Sequence, residues 1–353
     1  MDQGLVILAF SFLIAFAIVR VLKPIAFWAD LVDKPGGRKQ HDGLIPLVGG
    51  IAIYLSVSIT TLFFLEQPLF IRLFLLAGGL IVFLGMVDDR YDISVRSRLI
   101  GQILICSIFV YGLDVRIESF GNLLGLGEIK AGILSYPLTI LSLMGAMNAF
   151  NFLDGMDGLV GSVAIVSFLA LITLFGMNGD VNLQYLCLTF VGATAAFLLF
   201  NIWGSPTRKN FKKVFMGDAG SMFLGLSLGA LLIVGSQGEK AAFSPITSLW
   251  LVLLPMTDMF TIMYRRIKRG KSPMTPDRTH IHHIFLRAGF KKHQTLHVMI
   301  LIQFGFVGLG VLMTQQGYPE LASFFLAVGF ILAYQVVMKR SWRLIRWARK
   351  NLI

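Results

Sequence analysis

The 353-residue sequence contains few charged residues and almost no cysteine. Only 14% of its residues are Asp, Glu, Lys or Arg, whereas soluble domains carry about 25%. This scarcity excludes an ordinary soluble domain, and the hydrophobic fraction of 56% indicates an integral membrane protein. The two cysteines, Cys106 and Cys187, both lie within apolar runs, which favours buried small side chains over a disulfide or a metal site.

The N-terminal segment lacks a basic residue ahead of its first apolar run, because Arg20 follows that run. A cleavable secretory signal has the opposite order, so we expect the run to remain as the first membrane span. Windows of about 20 apolar residues predict an all-α polytopic bundle of eleven transmembrane helices. The predicted spans are Gly4–Leu22, Pro46–Leu65, Leu69–Val87, Leu99–Leu113, Ile133–Phe150, Leu159–Met177, Leu183–Trp203, Ser221–Ser236, Ser244–Tyr264, Leu296–Thr314 and Leu321–Met338.

Acidic residues are fewer than basic ones, 19 against 31, and the basic residues are unevenly placed. One set of connecting segments holds 27 of the 31 Lys and Arg residues. These segments are Arg20–Pro46, Asp88–Arg98, Asn151–Gly158, Gly204–Gly220, Arg265–Thr295 and the tail from Lys339. Basic loops stay in the cytoplasm, so we predict a periplasmic N-terminus and a cytoplasmic C-terminus. The net charge of +12 therefore lies mainly on one face of the protein, which suits anionic lipids and anionic substrates. The basic residues are dispersed over short loops, which argues against nucleic-acid binding.

Four polar side chains separate two long apolar runs in mid-chain, namely Asn148, Asn151, Asp154 and Asp157. A carboxylate at a helix centre costs about 2.5–3.5 kcal/mol on insertion scales and less at the membrane edge, so this cluster requires an explanation. The glycines beside the two aspartates predict a tight turn into a helix start, where a ligand can approach the backbone and an anion is favoured. A polar loop between helices is the alternative interpretation.

The third predicted span ends in Asp88, Asp89 and Asp92, with Arg98 close behind. Adjacent carboxylates beside cations suit a hard metal ion such as magnesium and the diphosphate that it neutralises. The same Asp-Asp-x-x-Asp spelling occurs in prenyl-diphosphate enzymes, so a prenyltransferase is one alternative. A charged loop with internal ion pairs is another.

Asp218 stands between glycines at the start of the eighth predicted span, shortly after four cations and Phe215. This arrangement predicts a metal-bound nucleotide diphosphate held against a helix N-terminus. An ordinary Asp N-cap explains Asp218 equally well from the local sequence.

Two further loops supply side chains that donate hydrogen bonds to phosphate. The first loop, broken by Pro and Gly, carries Arg38, Lys39 and His41, and a basic loop anchored at lipid headgroups is the alternative interpretation. The second loop carries Arg278, His280, His282 and His283. It has no Cys or acidic ligand at a usual zinc spacing, which favours phosphate or sugar-hydroxyl binding over a zinc site.

Taken together, these five motifs resemble those of the polyprenyl-phosphate N-acetylhexosamine-1-phosphate transferases, and the resemblance covers essentially the whole chain. Each motif is modest alone, but the ordered set is highly specific. The resemblance implies transfer of N-acetylglucosamine 1-phosphate from UDP-N-acetylglucosamine to undecaprenyl phosphate, with release of UMP. The product, GlcNAc-diphospho-undecaprenol, would begin surface polysaccharide synthesis of the O-antigen or common-antigen type. The spelling His-Ile-His-His is similar to the N-acetylglucosamine branch, whereas the muramoyl-pentapeptide branch usually has three consecutive histidines.

The resemblance also implies roles for the matching residues. The implied catalytic residues are Asp88, Asp89 and Asp218. The implied ligands of Mg²⁺, with Mn²⁺ as an alternative, are Asp218, Asn151, Asp88 and Asp89. The candidate substrate-binding residues are Arg38, Lys39, His41, Arg98, Asn148, Asp154, Asp157, Phe215, Arg278, His280, His282 and His283. Arg98 stands where the muramoyl branch has a lysine, which keeps the charge but changes the donor geometry.

The absence of a strong repeat or an inserted soluble domain predicts one polytopic catalytic domain over residues 1–338. Its active-site loops are expected at 23–45, 88–98, 151–158, 204–220 and 265–295, and a basic amphipathic cytoplasmic tail at 339–353. The resemblance implies an enzyme of the bacterial inner membrane whose active site faces the cytoplasm, with a homodimer as one candidate assembly. A transporter or channel is the alternative from another class. It would place facing charges in mid-span and broken helices in repeated halves, whereas these acidic motifs lie at one membrane edge.

Overall fold

The computed structural model describes residues 3–34, 43–205, 212–274, 280–340 and 345–346. Within these ranges helices are by far the main secondary structure, which confirms the all-α class. The helices are α1 (Gln3–Trp28), α2 (Gly49–Phe64), α3 (Leu69–Tyr91), α4 (Val95–Gly112), α5 (Ser135–Leu153), α6 (Leu159–Asn178), α7 (Val181–Ile202), α8 (Gly217–Ser236), α9 (Pro245–Leu251), α10 (Leu253–Lys268), α11 (Ile281–Ala288), α12 (Lys292–Gln315) and α13 (Glu320–Lys339). Two-residue strands β1 (Val32–Asp33) and β2 (Ile45–Pro46) pair in antiparallel register.

The membrane-spanning helices agree with the predicted polytopic architecture. Among the described residues, nine helices are long and apolar enough to cross a membrane, and the bent pair α9–α10 makes a tenth if it is counted as one span. Helix α2 has 16 residues and falls among the shorter apolar helices. All eleven predicted apolar segments therefore form helices, while their number as membrane crossings stays a prediction.

Helix α8 forms the centre of the bundle. In its apolar 18-residue stretch 94% is buried inside the protein, compared with 17% in the corresponding stretch of α13. Helices α2, α3, α5, α6 and α9 pack around it. Two glycines on neighbouring helices allow this close packing. A Cβ on Gly50 of α2 would overlap with the backbone of Gly220, and a Cβ on Gly85 of α3 would overlap with the backbone of Ala219. Small residues let membrane helices approach closely, so the start of α8 is held tightly between α2 and α3.

The ninth predicted span is broken, because α9 and α10 meet at Val252 with a bend of 77°. A break inside a membrane leaves backbone carbonyls without helical partners, and such groups must be satisfied within the protein. Here the carbonyl of Leu251 accepts hydrogen bonds from Ser167 Oγ at 2.7 Å and Gln303 Nε2 at 2.9 Å. These buried side chains of α6 and α12 stabilise the bent conformation.

The short helix α11 follows the second half of the broken span and is not itself a span. It packs against α12, and Ala288 near its end contacts Ile345 of the C-terminal tail in a small separate core. Most of the predicted amphipathic tail, residues 339–353, lies outside the described residues, and its amphipathic character stays a prediction.

Candidate active site

The N-terminus of α8 is capped by a side chain from another helix. Asp89 Oδ1 accepts the backbone N–H of Asp218 at 2.9 Å, and its Oδ2 accepts that of Ala219 at 3.4 Å. Gly217 starts the helix with φ of +71°, and a Cβ there would overlap with Asp89 Oδ2. The residue before the helix, Met216, makes no side-chain cap. The predicted alternative of an Asp218 N-cap is therefore wrong, because α8 begins at Gly217 and the capping carboxylate is Asp89 on α3.

The side chain of Asp218 is consequently free to join a polar cluster formed by the ends of four helices. Arg98 Nη1 donates to Asp88 Oδ2 at 2.9 Å and lies 3.4 Å from Asp218 Oδ2. Asn151 Nδ2 donates to Asp218 Oδ1 at 2.9 Å and to Ser221 Oγ at 3.1 Å. The Asp88 side chain is 5% exposed, whereas that of Asp218 is 35% exposed, so Asp218 is the carboxylate that a ligand reaches more easily. Residues predicted from three separate motifs thus meet at one point.

The donor set of this cluster suits a magnesium ion that is shared with a substrate. Among the described residues, no three Asp, Glu, His or Cys side chains converge as a complete metal site. Magnesium in phosphoryl-transfer sites, however, is held by one or two carboxylates and completes its shell with water and substrate phosphates. Asp88 and Asp218 already share the positive charge of Arg98, and Asn151 adds an amide beside them. These oxygen-bearing groups therefore fit a partial magnesium shell, whereas both oxygens of Asp89 accept backbone N–H groups of α8.

The loop after α5 places Asp154 and Asp157 near this cluster. Asp154 follows the last residue of α5 and is exposed to solvent on one side. Partial desolvation raises the pKa of Asp154, and repulsion from Asp218 and Asp157 adds to the shift. Asp157 forms an ion pair with Lys213, whose Nζ lies 2.6 Å from Oδ2. Lys213 in turn lies 5.4 Å from the ring centroid of Phe215, so the Asp157 and Phe215 positions adjoin through this lysine.

Backbone hydrogen bonds fix the segment that carries Phe215. Its N–H donates to Pro46 O at 2.9 Å, and its carbonyl accepts the N–H of Gly49 at 3.0 Å. Asn201 of α7 joins this segment to the acidic loop, because its Nδ2 donates to Val214 O and its Oδ1 accepts the N–H of Gly158. Asn201 therefore holds the segment that carries Phe215 next to the loop that carries Asp157.

The histidine segment packs on the same acidic loop. The rings of His282 and His283 lie 4.2 Å apart between centroids, and that of His280 lies 6.2 Å from Phe152 at the end of α5. His282 is completely buried against Gly155, where a Cβ would overlap with its Nε2. Burial lowers the pKa of His282 to about 3, with repulsion from His283 and His280 as further causes, so its ring is neutral in the folded protein.

The remaining predicted residues lie apart from this cluster or outside the described ranges. Asn148 is buried one turn before Asn151. Its Nδ2 donates to Gln102 Oε1 at 2.9 Å, so it joins α5 to α4 next to the cluster. The predicted substrate-binding residues that fall outside the described ranges are Arg38, Lys39, His41 and Arg278. Their roles, like the roles of the other predicted residues, stay predictions.

The third aspartate of the Asp-Asp-x-x-Asp spelling does not join the first two. Asp92 ends α3 in the left-handed conformation with φ of +49°, and its side chain is exposed. It makes no ion pair or side-chain hydrogen bond within the described part of the chain. The first two carboxylates are instead held by Arg98 and by the start of α8, so the three aspartates of this spelling have different surroundings.

Sequence reasoning missed several residues that organise the site. Lys213 is only one of four cations before Phe215, and Asn201 lies at the end of a predicted span with no motif around it, so the sequence does not mark either residue. Asp258 is a fully buried carboxylate on α10 that contacts His280. An acidic residue inside an apolar segment is a recognised signal of function, so the composition of the ninth span could have identified Asp258.

Comparisons with known proteins agree with this geometry. The sequence pattern of glycosyl transferase family 4 matches residues 71–236, a stretch that carries the whole carboxylate cluster. The undecaprenyl-phosphate alpha-N-acetylglucosaminyl 1-phosphate transferase of Yersinia pestis is 38% identical over 348 residues, which cover 97% of this chain and 93% of that protein. The proteins of the same name from Escherichia coli (strain K12) and Haemophilus influenzae are 36% and 33% identical, and they match 98% and 96% of this chain over 92% and 95% of their own lengths. The chain therefore belongs to the family of these transferases, glycosyl transferase family 4, and the family predicted from its motifs is confirmed.

Proposed function

We propose that the protein transfers N-acetylglucosamine 1-phosphate from UDP-N-acetylglucosamine to undecaprenyl phosphate and releases UMP. The observation that carries this proposal is the meeting of Asp88, Asn151 and Asp218 around Arg98 at one end of the bundle. The nearly full-length similarity to transferases that are named for this activity supports it. The product bond resembles the bond that is broken, so the reaction is expected to be close to thermoneutral.

The main barrier to this reaction is the meeting of two anions, and the cluster is built to reduce it. A nucleophilic phosphate must approach the diphosphate of the nucleotide sugar, so positioning and charge neutralisation supply most of the rate enhancement. Arg98 provides a fixed positive charge between the two carboxylates. The start of α8 adds the positive end of its helix dipole beside Asp218.

Magnesium, with manganese as an alternative, is the proposed metal cofactor. Asp88, Asn151 and Asp218 would hold it, and the bound ion would neutralise the diphosphate as the phosphorus is attacked. Asp89 would contribute chiefly by holding the start of α8, because both of its oxygens accept backbone N–H groups.

The nucleotide is proposed to bind beside the segment that carries Lys213 and Phe215. Phe215 offers an aromatic face for uracil, and Asp157 and Lys213 offer polar partners next to it. The histidine segment, packed against Gly155, would contact the diphosphate and the sugar. The compact His-Ile-His-His spelling favours a small donor sugar over a muramoyl pentapeptide.

The lipid acceptor is proposed to enter sideways from the bilayer, since the cluster lies at the ends of membrane-spanning helices. The distribution of basic residues favours a cytoplasmic site in the inner membrane of a bacterium, where UDP-sugars are made. We further propose that the product serves as the first lipid-linked intermediate of a surface polysaccharide. A homodimer remains a candidate assembly.

The decisive substrate experiment uses purified protein in lipid nanodiscs that contain undecaprenyl phosphate. UDP-N-acetylglucosamine labelled in both uracil and sugar is added with magnesium, and lipid and aqueous products are separated. We expect the sugar label in the lipid fraction and the uracil label in UMP. UDP-N-acetylmuramoyl-pentapeptide should give no lipid product, and comparable turnover of both donors would contradict the proposed donor. A labelled prenyl diphosphate tests the prenyltransferase alternative and should be left unchanged.

The proposed orientation can be tested by cysteine labelling in intact cells. The native cysteines Cys106 and Cys187 are buried, so single cysteines at exposed Glu239 and at Lys271 can be introduced without removing them. A membrane-impermeant maleimide should reach Glu239→Cys without lysis and Lys271→Cys only after lysis. The reverse pattern would contradict a cytoplasmic active site.

A further inference from the structure

Asp258 is a buried carboxylate within the second half of the broken span. It is 1% exposed, and apolar residues precede and follow it on α10. An ionised carboxylate without partners is costly in such surroundings, so its hydrogen bonds indicate what it is there to hold.

The two oxygens of Asp258 have different partners. Oδ1 accepts the backbone N–H of Ile281 at 3.2 Å and the hydroxyl of Tyr334 at 2.5 Å. Oδ2 accepts a hydrogen bond from His280 Nδ1 at 2.7 Å and from no other group in the described part of the chain. Asp258 thus connects the broken span with the start of α11 and with α13. Its second oxygen, Oδ2, binds the ring of His280.

This pairing determines the tautomer of His280. Because a carboxylate oxygen can only accept, Nδ1 must carry the proton, whether the ring is neutral or charged. Nε2 makes no other hydrogen bond to the described residues, and the ring lies beside Phe152, next to Asn151 of the carboxylate cluster. The arrangement leaves Nε2 as the nitrogen that is available to a ligand.

We propose that Asp258 is a positioning residue that holds His280 in the Nδ1–H tautomer, with Nε2 presented to the phosphate or sugar of the nucleotide donor. The identity of that donor rests on the proposed function. A carboxylate behind a functional histidine does the same work in serine proteases and behind metal-bound histidines. Capping of α11 would require only Oδ1 and does not account for the hydrogen bond that Oδ2 accepts from His280.

The substitution Asp258→Asn separates positioning from capping. Two donors meet at Oδ1, so the amide oxygen should stay with Ile281 and Tyr334 and the amide nitrogen should face His280. That nitrogen donates, which forces the proton of His280 from Nδ1 to Nε2. The variant should therefore remain folded with the opposite tautomer, whereas Tyr334→Phe should leave the proton on Nδ1.

Two measurements test the proposal in the intact protein in nanodiscs. The first is the ¹⁵N NMR signal of the His280 ring nitrogens, assigned by loss of the signal in His280→Gln. We expect a protonated Nδ1 in the native protein and in Tyr334→Phe, and an unprotonated Nδ1 in Asp258→Asn. An unprotonated Nδ1 in the native protein, or a protonated one in Asp258→Asn, would overturn the proposal. This measurement needs no turnover, so its outcome is independent of whether the donor is UDP-N-acetylglucosamine.

The second measurement is a double-mutant cycle on kcat/KM for the nucleotide sugar. Asp258→Asn should lower kcat/KM by about 10–100-fold, with a raised KM for the nucleotide sugar and an unchanged KM for the lipid phosphate. In a His280→Gln background the same change should have almost no further effect, because Asp258 acts through His280. A loss that is equal in both backgrounds, or that leaves both KM values unchanged, would assign Asp258 a merely structural role. Asp180→Asn is the matched control. Asp180 caps the N-terminus of α7, at the other end of that helix from Asn201, so the variant should retain activity.

Discussion

Asp89 on α3 accepts the backbone N–H of Asp218 on α8, with 2.9 Å between Oδ1 and the nitrogen. This bond gives the two aspartates different tasks although both belong to acidic motifs. Asp89 holds the start of the central helix, and Asp218 is thereby left to face Arg98 and Asn151. The consequences of changing either residue should therefore differ.

The substitution Asp218→Asn should abolish most activity and leave stability unchanged. An asparagine keeps an oxygen for Asn151 but loses the charge that faces a divalent cation, and one such contact is typically worth about 10²–10³ in rate. We expect turnover to fall at least about a hundredfold, with a higher apparent magnesium requirement. Radiometric turnover across a magnesium titration measures both effects. Near-normal turnover at low magnesium in a normally inserted variant would remove Asp218 from the metal site.

Replacing Asp89 should, in contrast, weaken the fold as well as the activity. Asp89→Ala leaves the N–H groups of Asp218 and Ala219 without their acceptor, and loss of a helix cap costs about 1 kcal/mol. Asp89→Asn keeps one accepting oxygen and should be intermediate. Thermal unfolding followed by tryptophan fluorescence should therefore rank the native protein above Asn and Asn above Ala. An unchanged melting temperature for Asp89→Ala would contradict the capping role.

The close contact between α3 and α8 makes Gly85 sensitive to a single added methyl group. A Cβ at Gly85 would overlap with the backbone of Ala219, which cannot rotate away as a side chain can. Overpacking of this kind typically costs about 1–3 kcal/mol, and it would also separate Asp89 from the start of α8. Gly85→Ala should therefore lower both melting temperature and turnover.

Gly308 provides the matched control for that substitution. It lies on α12, and no atom of the described residues comes within 4 Å of an added Cβ. Gly308→Ala should be neutral, or stabilising by about 0.5–1 kcal/mol, because alanine favours helix. Equal losses in both variants would show that the effect comes from helical glycine in general and not from the α3–α8 contact.

The buried ring of His282 should make stability depend on pH. Its pKa is about 3 in the folded protein and about 6.5 in an unfolded chain, so between these values only the unfolded chain binds the proton. The contribution is complete above about pH 6.5 and is lost as the pH falls, with a slope of at most about 1.4 kcal/mol per pH unit. His282→Gln should therefore reduce the drop in melting temperature between about pH 7.5 and pH 5. His293→Gln, at an exposed position of α12, should keep the native drop, and equal drops in all three proteins would contradict the prediction.

Hydropathy and motif order predicted much of this protein. The apolar runs located the helices, because composition and period are displayed directly in the sequence. The family resemblance implied that Asp88, Asn151 and Asp218 share one metal ion and therefore lie close together. The ordered motifs also predicted the family.

Other features depend on which side chains face each other, and the linear sequence does not display that. Nothing local distinguishes Asp88 from Asp89, although only Asp89 is directed at the start of α8. The break at Val252 has one local signal, Pro255, which has no N–H to donate to the carbonyl of Leu251. The side chains that satisfy that carbonyl instead, Ser167 and Gln303, come from distant helices, and the sequence does not display them. Asp258 was hidden for the same reason, since its partner His280 lies on a separate segment.

The most direct test of the proposed reaction follows the phosphorus atom that joins the sugar to UMP. UDP-N-acetylglucosamine carrying ³²P in the phosphate next to the sugar is incubated with the native protein, undecaprenyl phosphate and magnesium. Sugar-phosphate transfer predicts that the label moves into the lipid product together with the sugar, in equal amounts, while unlabelled UMP is released. Release of the label in UDP would mean that the sugar alone is transferred, and it would contradict the account presented for the cluster of Asp88, Asn151 and Asp218.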